Sequence, residues 1–148
     1  MKHSVSPGLM LDVVTMPRPI LSLPIRQVVA RSFEGELAIL RGHMPLMALL
    51  MPCVVQVWPE DGSAGAEGAN VQKVFISGGV LEVQPQHVTI LAEDALFADE
   101  IDIEYARQAL TQAHQRMREN FLLEDRERAR IEAMSAQAQI DLWQWGQA

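Results

Sequence analysis

Short runs of β-branched and apolar residues fill the first part of the chain: LDVVT (11–15), VVQVW (54–58), VQKVFIS (71–77), VLEVQ (80–84) and HVTILA (87–92). Runs of this length bounded by turn residues predict strands. The pattern changes near Phe97. All eight prolines and eight of the nine glycines lie before it; the remainder is rich in Ala, Glu, Gln and Arg and holds only Gly146. Residues 9–97 therefore read as strands and 99–145 as helices. Because the two types are segregated, the fold class is α+β rather than alternating βαβ.

Within the strand region, Gly78-Gly79 lies between two strand-like runs and predicts a tight hairpin turn, since two glycines supply the positive φ angles such a turn needs. Pro85-Gln86 turns the chain again, giving a three-stranded meander in which Val88 and Ile90 share a face. The polar, glycine-rich stretch 59–70 reads as a surface loop joining strands 53–58 and 71–77. In the helical region, Ala106, Ala109, Leu110, Ala113 and Met117 recur every three or four residues, as do Ile131, Met134, Ala138, Leu142 and Trp145. Each set predicts one apolar stripe on a helix. Asp102 is placed to cap the first helix, and 119–123 reads as the turn of an antiparallel hairpin. Alanine buries little area, so the hairpin is expected to dock only modestly. Trp143 and Trp145 are expected to point to different faces, with at most one packing in the hairpin.

Composition narrows the function classes. With 148 residues, 49% of them apolar, the chain suits one domain, or one small domain and an appendage. A net charge of −7 and a pI near 5.0 argue against nucleic acid as the main partner. The longest apolar run, 44–55, is interrupted by Pro45 and Pro52 and is too short to span a bilayer, so no direct membrane insertion is expected. The first eight residues lack an apolar signal core and read as a flexible extension. Cys53, alone and in the apolar setting MPCVVQVW, reads as a buried, inert thiol. His3, His43, His87 and His114 show no metal-ligand spacing, and phosphate-loop and dinucleotide patterns are missing.

Two charged clusters remain. Glu34 and Glu36 have no nucleophile beside them, which leaves either a turn with exposed carboxylates or a contact surface using Glu36 and His43. In LEDRERARIE, Arg126 and Arg130 share a helix face, and Glu124 and Glu127 are expected to pair with Arg128 and Arg130. That segment is either a solvated, ion-paired helix or a basic ridge for an acidic partner.

GELAILRGHMPLMALL (35–50), FISGGVLEVQPQHVTILAEDA (75–95) and the opening LDVVT together resemble the epsilon subunit of F-type ATP synthases, over roughly four-fifths of the chain. The resemblance implies a flattened β-sandwich of about ten strands over residues 1–98, including the 1–8 extension, and an antiparallel two-helix regulatory hairpin over 99–148. It implies a non-catalytic central-stalk subunit that clasps the gamma subunit and sits on the membrane c-ring, coupling proton-driven rotation to ATP synthesis. Glu36, Arg41 and His43 occupy the motif positions for ring and gamma contact, with Arg41 where the family usually has proline. The hairpin is implied to extend toward the catalytic beta subunits and impede hydrolysis, with Arg126 and Arg130 meeting them. An ATP-binding pattern of some relatives is degraded here; only Glu104 and Arg107 match it, and no cofactor is expected. The implied location is peripheral, on the cytoplasmic face of a bacterial plasma membrane or the stromal face of a thylakoid-type membrane. The alternative class is a free-standing β-sandwich interaction module whose helices bind another coiled coil.

Overall fold

The computed structural model describes residues 8–16, 18–60 and 71–148. The N-terminal extension before Gly8, His3 and most of the glycine-rich loop lie outside them. Nine strands precede two helices: β1 (Leu9–Thr15), β2 (Pro19–Ser32), β3 (Gly35–Leu40), β4 (Leu46–Leu50), β5 (Cys53–Pro59), β6 (Gln72–Ile76), β7 (Gly79–Gln84), β8 (His87–Ala92), β9 (Ala95–Leu96), then a 3-10 turn (Ala98–Glu100), α1 (Ile103–Glu119) and α2 (Leu123–Gln147). The expected α+β order is borne out.

The strands form a sandwich. One layer runs β1-β8-β7-β4; the other runs β3-β2-β5-β6-β9. The 14-residue β2 belongs to both layers: its first half pairs with β1 and its second half with β3 and β5. The register shifts between Ile25 and Gln27, and the extra residue bends the strand from one layer into the other. Side chains alternate, so Leu11, Val13, Ile25, Val28, Ile39, Val55, Val57, Val74, Leu81, Val83, Val88 and Ile90 point inward and form one continuous core. Cys53 joins that core, and burial pushes its thiol pKa up despite Arg31 nearby.

Gly78-Gly79 has a different role from the expected hairpin. β6 pairs with β5 and β9, whereas β7 pairs with β4 and β8, so the two strands are not partners. The glycines carry the chain from one layer to the other, with φ of 129° and 154°. A Cβ at Gly79 would run into the Leu91 carbonyl. The need for glycine was legible; its use as a corner between layers was not, because local sequence does not record which strand is the neighbour. The expected meander reduces to the β7–β8 hairpin at Pro85-Gln86.

Asp102 caps α1, its carboxylate accepting from the Tyr105 N–H at 3.1 Å, and the link between α1 and α2 spans 120–122. The single stripe expected on α2 is corrected to two. Ala129, Ala133, Ala136 and Ile140 are buried on one side. On the opposite side, Ala138 and Leu142 pack over Val54 and Phe75 of β5 and β6. At 100° per residue these sets lie about half a turn apart. α2 is thus the middle layer, between the sheet and α1, whose buried residues are Ala106 and Ala113.

Candidate partner-docking surfaces

The outer face of β1-β8-β7-β4 carries a row of apolar side chains across four strands. Register aligns Val14 with Leu91, Leu91 with Val80, and Val80 with Leu49. The Phe33 N–H donates to the Leu49 carbonyl, which sets Phe33 at the end of the row. Leu49 is 63% exposed and Leu91 54%; Met47 and Met44 extend the patch toward the β3–β4 turn. No Lys or Arg occurs on any of these four strands, and the charges beside the row are Asp12, Glu82, Glu34 and Glu93. Sequence reading did not identify this face. The signal it missed was apolar residues at both parities of β4 (Leu-Met-Ala-Leu-Leu), where a solvated face would alternate with polar ones.

Asp12 lies in the adjoining row, 2.5 Å from His87 Nε2. The Ser22 hydroxyl, and then His87, hold its carboxyl below the usual range against the opposing effect of burial.

The residues singled out from sequence fall in three places. Glu36 is exposed on β3, in register with Arg31. It borders a cleft of about 410 Å³ whose far wall is α2, with Met134, Gln137 and Asp141. Arg41 sits in the β3–β4 turn with its guanidinium 2.9 Å from Glu60. His43 is half-buried in the same turn; its Nδ1–H donates to the Met44 carbonyl at 2.8 Å, leaving Nε2 available. Glu36 and His43 lie at opposite ends of β3, about 17 Å of strand, so the fold does not bring them together. Glu34 is in the preceding turn, whose closure falls to Ser32: its buried hydroxyl donates to the Gly35 carbonyl and accepts the Glu34 N–H.

On the hairpin, Arg130 binds Glu127 at 3.0 Å through Nε, which lowers the Glu127 pKa. Arg126 is exposed and makes no ion pair among the described residues. Arg128 pairs with Asp125 at 3.8 Å, not with Glu124 as expected; i,i+3 places the shorter Asp within reach. Arg116 meets Glu132 at 2.5 Å, a charge contact joining α1 to α2. Glu104 and Arg107 pair with each other at 3.2 Å, and the Arg107 guanidinium also lies 5.7 Å from the Trp143 ring centre. Phe121, Leu122 and Leu123 at the tip are exposed. Among the described residues, no helix is long and apolar enough to cross a membrane.

Comparison with known proteins bears on these surfaces. The sequence model of the family described as "ATP synthase, Delta/Epsilon chain, beta-sandwich domain" matches residues 8–98. An ATP synthase epsilon chain of Herpetosiphon aurantiacus is 39% identical over 132 residues, 89% of this chain and 91% of that one. One from Acinetobacter baumannii is 43% identical over 91 residues; that match spans 60% of the relative's length and 62% of this chain. A chain in a cryo-EM structure of Euglena gracilis mitochondrial ATP synthase (OSCP/F1/c-ring) superposes with a TM-score of 0.73 at 24% identity, covering 93% of this chain and 82% of that one. Another, from the Tetrahymena thermophila central stalk and c-ring, gives 0.57 at 15% identity. At these identities the structural likeness is one of fold.

Proposed function

The chain belongs to the ATP synthase epsilon-chain family, and on that premise we propose that it is a non-catalytic subunit of the rotary central stalk. Its sandwich (1–98) clasps the gamma subunit and rests on the c-ring, coupling ion-driven rotation to ATP synthesis. Its hairpin (99–148) restrains ATP hydrolysis. The subunit is held at the membrane by its partners, on the cytoplasmic face of a bacterial plasma membrane or the stromal face of a thylakoid-type one.

The observation that carries this reading is the apolar row Val14-Leu91-Val80-Leu49, half-buried to exposed on a face whose four strands hold no Lys or Arg. Burying such a row supplies affinity, and the surrounding carboxylates select a partner whose contact is apolar and flanked by Lys or Arg. A gamma-type coiled coil offers that chemistry. Glu36 and Arg41/His43 are assigned contact roles with separate neighbours, since a strand length divides them. Arg126, like Arg118, is exposed without an ion pair among the described residues and is available to an acidic catalytic subunit, with Arg130 first having to leave Glu127. Glu104 and Arg107 are engaged with each other and with Trp143, so a nucleotide would have to displace both contacts.

The test is co-purification with gamma. Leu49→Glu combined with Leu91→Glu is expected to lose gamma, a cost of about 2 kcal/mol or more at the centre of an interface, while thermal unfolding of the isolated chain stays cooperative. Undiminished gamma capture by a folded double variant would refute the assignment of this face. Charge reversal at Arg126 and Arg130 is expected to change the hydrolysis rate of the reconstituted complex and leave gamma capture intact.

A further inference from the structure

The last turn of α2 is seated on the sandwich through contacts that the proposed clasp and ring surfaces do not involve. The Trp145 ring centre is 5.0 Å from Lys73 Nζ on β6. That ammonium also brings positive charge to the last turn of α2, which has no basic residue of its own and carries the negative end of the helix dipole. Next to it, Gly146 comes so close to the 3-10 turn that an added Cβ would lie 2.8 Å from the Ala98 side chain. Glycine is a poor helix residue, but here its bare Cα is what allows α2 to reach that turn.

Trp143, two residues back, packs with Phe75, Ile101 and Leu142, and its ring faces Arg107 of α1. Within four residues, therefore, one indole fastens α2 to β6 and the other fastens α2 to α1. Trp145 is itself 44% exposed, so its hold is the Lys73 contact and not burial. Leu142 is 1% exposed, Ala138, Met134 and Ile131 are half-buried, and Glu127 beyond them is exposed. The attachment of the hairpin is concentrated at the C-terminal end of α2 and thins toward the tip.

We infer that Trp143–Gly146 is a latch that keeps the hairpin folded against the sandwich, and that releasing Trp145 from Lys73 and Gly146 from Ala98 frees both helices together. The latch is a property of the isolated chain; only its consequence for hydrolysis rests on the reading of the hairpin as a brake.

Hydrogen exchange of the full-length chain tests it, because a freed pair of alanine-rich helices is marginal on its own and loses amide protection. Trp145→Ala is expected to speed exchange in 131–147 about tenfold while β1, β7 and β8 remain as in the unaltered protein. Lys73→Glu is expected to give about three- to fivefold, the scale of an exposed cation–π contact, and Trp145→Phe to stay closest to the original. Gly146→Ala, which disturbs the Ala98 approach alone, is expected to resemble Trp145→Ala. Unchanged α2 exchange in Trp145→Ala, or equal loss of protection across the sandwich, would overturn the latch. The same variants assayed in the reconstituted complex separate the two ideas. Faster α2 exchange with an unaltered hydrolysis rate keeps the latch and removes the brake; altered hydrolysis supports both.

Discussion

Three residues show how a single position sets behaviour here. Asp12 has its carboxyl pKa depressed in the fold by Ser22 and His87. A depressed carboxylate favours the folded state above its unfolded pKa, about 4, and that contribution disappears as pH falls through the folded value. Asp12→Asn should therefore lower the thermal midpoint at pH 7, and its midpoint should converge with that of the unaltered protein as pH falls through the folded value. A gap that persisted once the carboxyl is protonated in both states would mean Asp12 acts through shape, not charge. Gly79 is the second case. A side chain there meets both a positive φ and the Leu91 carbonyl, so Gly79→Ala should cost about 1–3 kcal/mol or more in urea unfolding. Arg41 tethers Glu60; its exposed ion pair is worth about 1 kcal/mol at most, so Arg41→Ala is expected to leave stability nearly unchanged.

At the scale of elements, local pattern located five of the nine strands (β1 and β5–β8), the helix cap and the interhelical turn, since these depend on near neighbours in the chain. It mistook the partners of β6 and one face of α2, which depend on residues far away. α2 shows why. A helix covered on two opposite sides has apolar residues nearly all round, and the eye picks out one of the two stripes. The Ile131-Met134-Ala138-Leu142-Trp145 stripe is real and faces the sheet; Ala129, Ala133, Ala136 and Ile140 form the other, hidden by the smallness of alanine. The candidate contact residues were legible as motif positions, but their separation along β3 was not, because a motif gives order without direction. The alanine seam makes its own prediction. Ala113 is fully buried, and Ala113→Leu should overpack the helices at a cost of about 1–3 kcal/mol. Amide protection in α1 and α2 should then be lost at a lower temperature than protection in β5, followed by hydrogen exchange.

The whole molecule is two cores joined by a narrow seam. The sandwich interior is continuous, whereas Phe75, Ile101 and Leu142 make a separate small cluster under the hairpin. The fragment 1–98 is therefore expected to unfold cooperatively by itself and to expose Phe75 and Val54, detectable as dye binding at a site that the hairpin covers in the full chain. Phe75→Ser in the fragment should reduce that binding without shifting its melting temperature by more than a few degrees. Failure of 1–98 to fold would mean the helices complete the sandwich. One further consequence comes from the parallel pairing of β1 with β8, in which Leu11 lies opposite Val88. β1 can pair with β2 soon after both are made, but its other edge has to wait for a strand synthesised 77 residues later (from Leu11 to Val88). Long separations of this kind slow folding. They give a nascent chain an interval in which that open edge of β1 must be shielded by something other than its final neighbour.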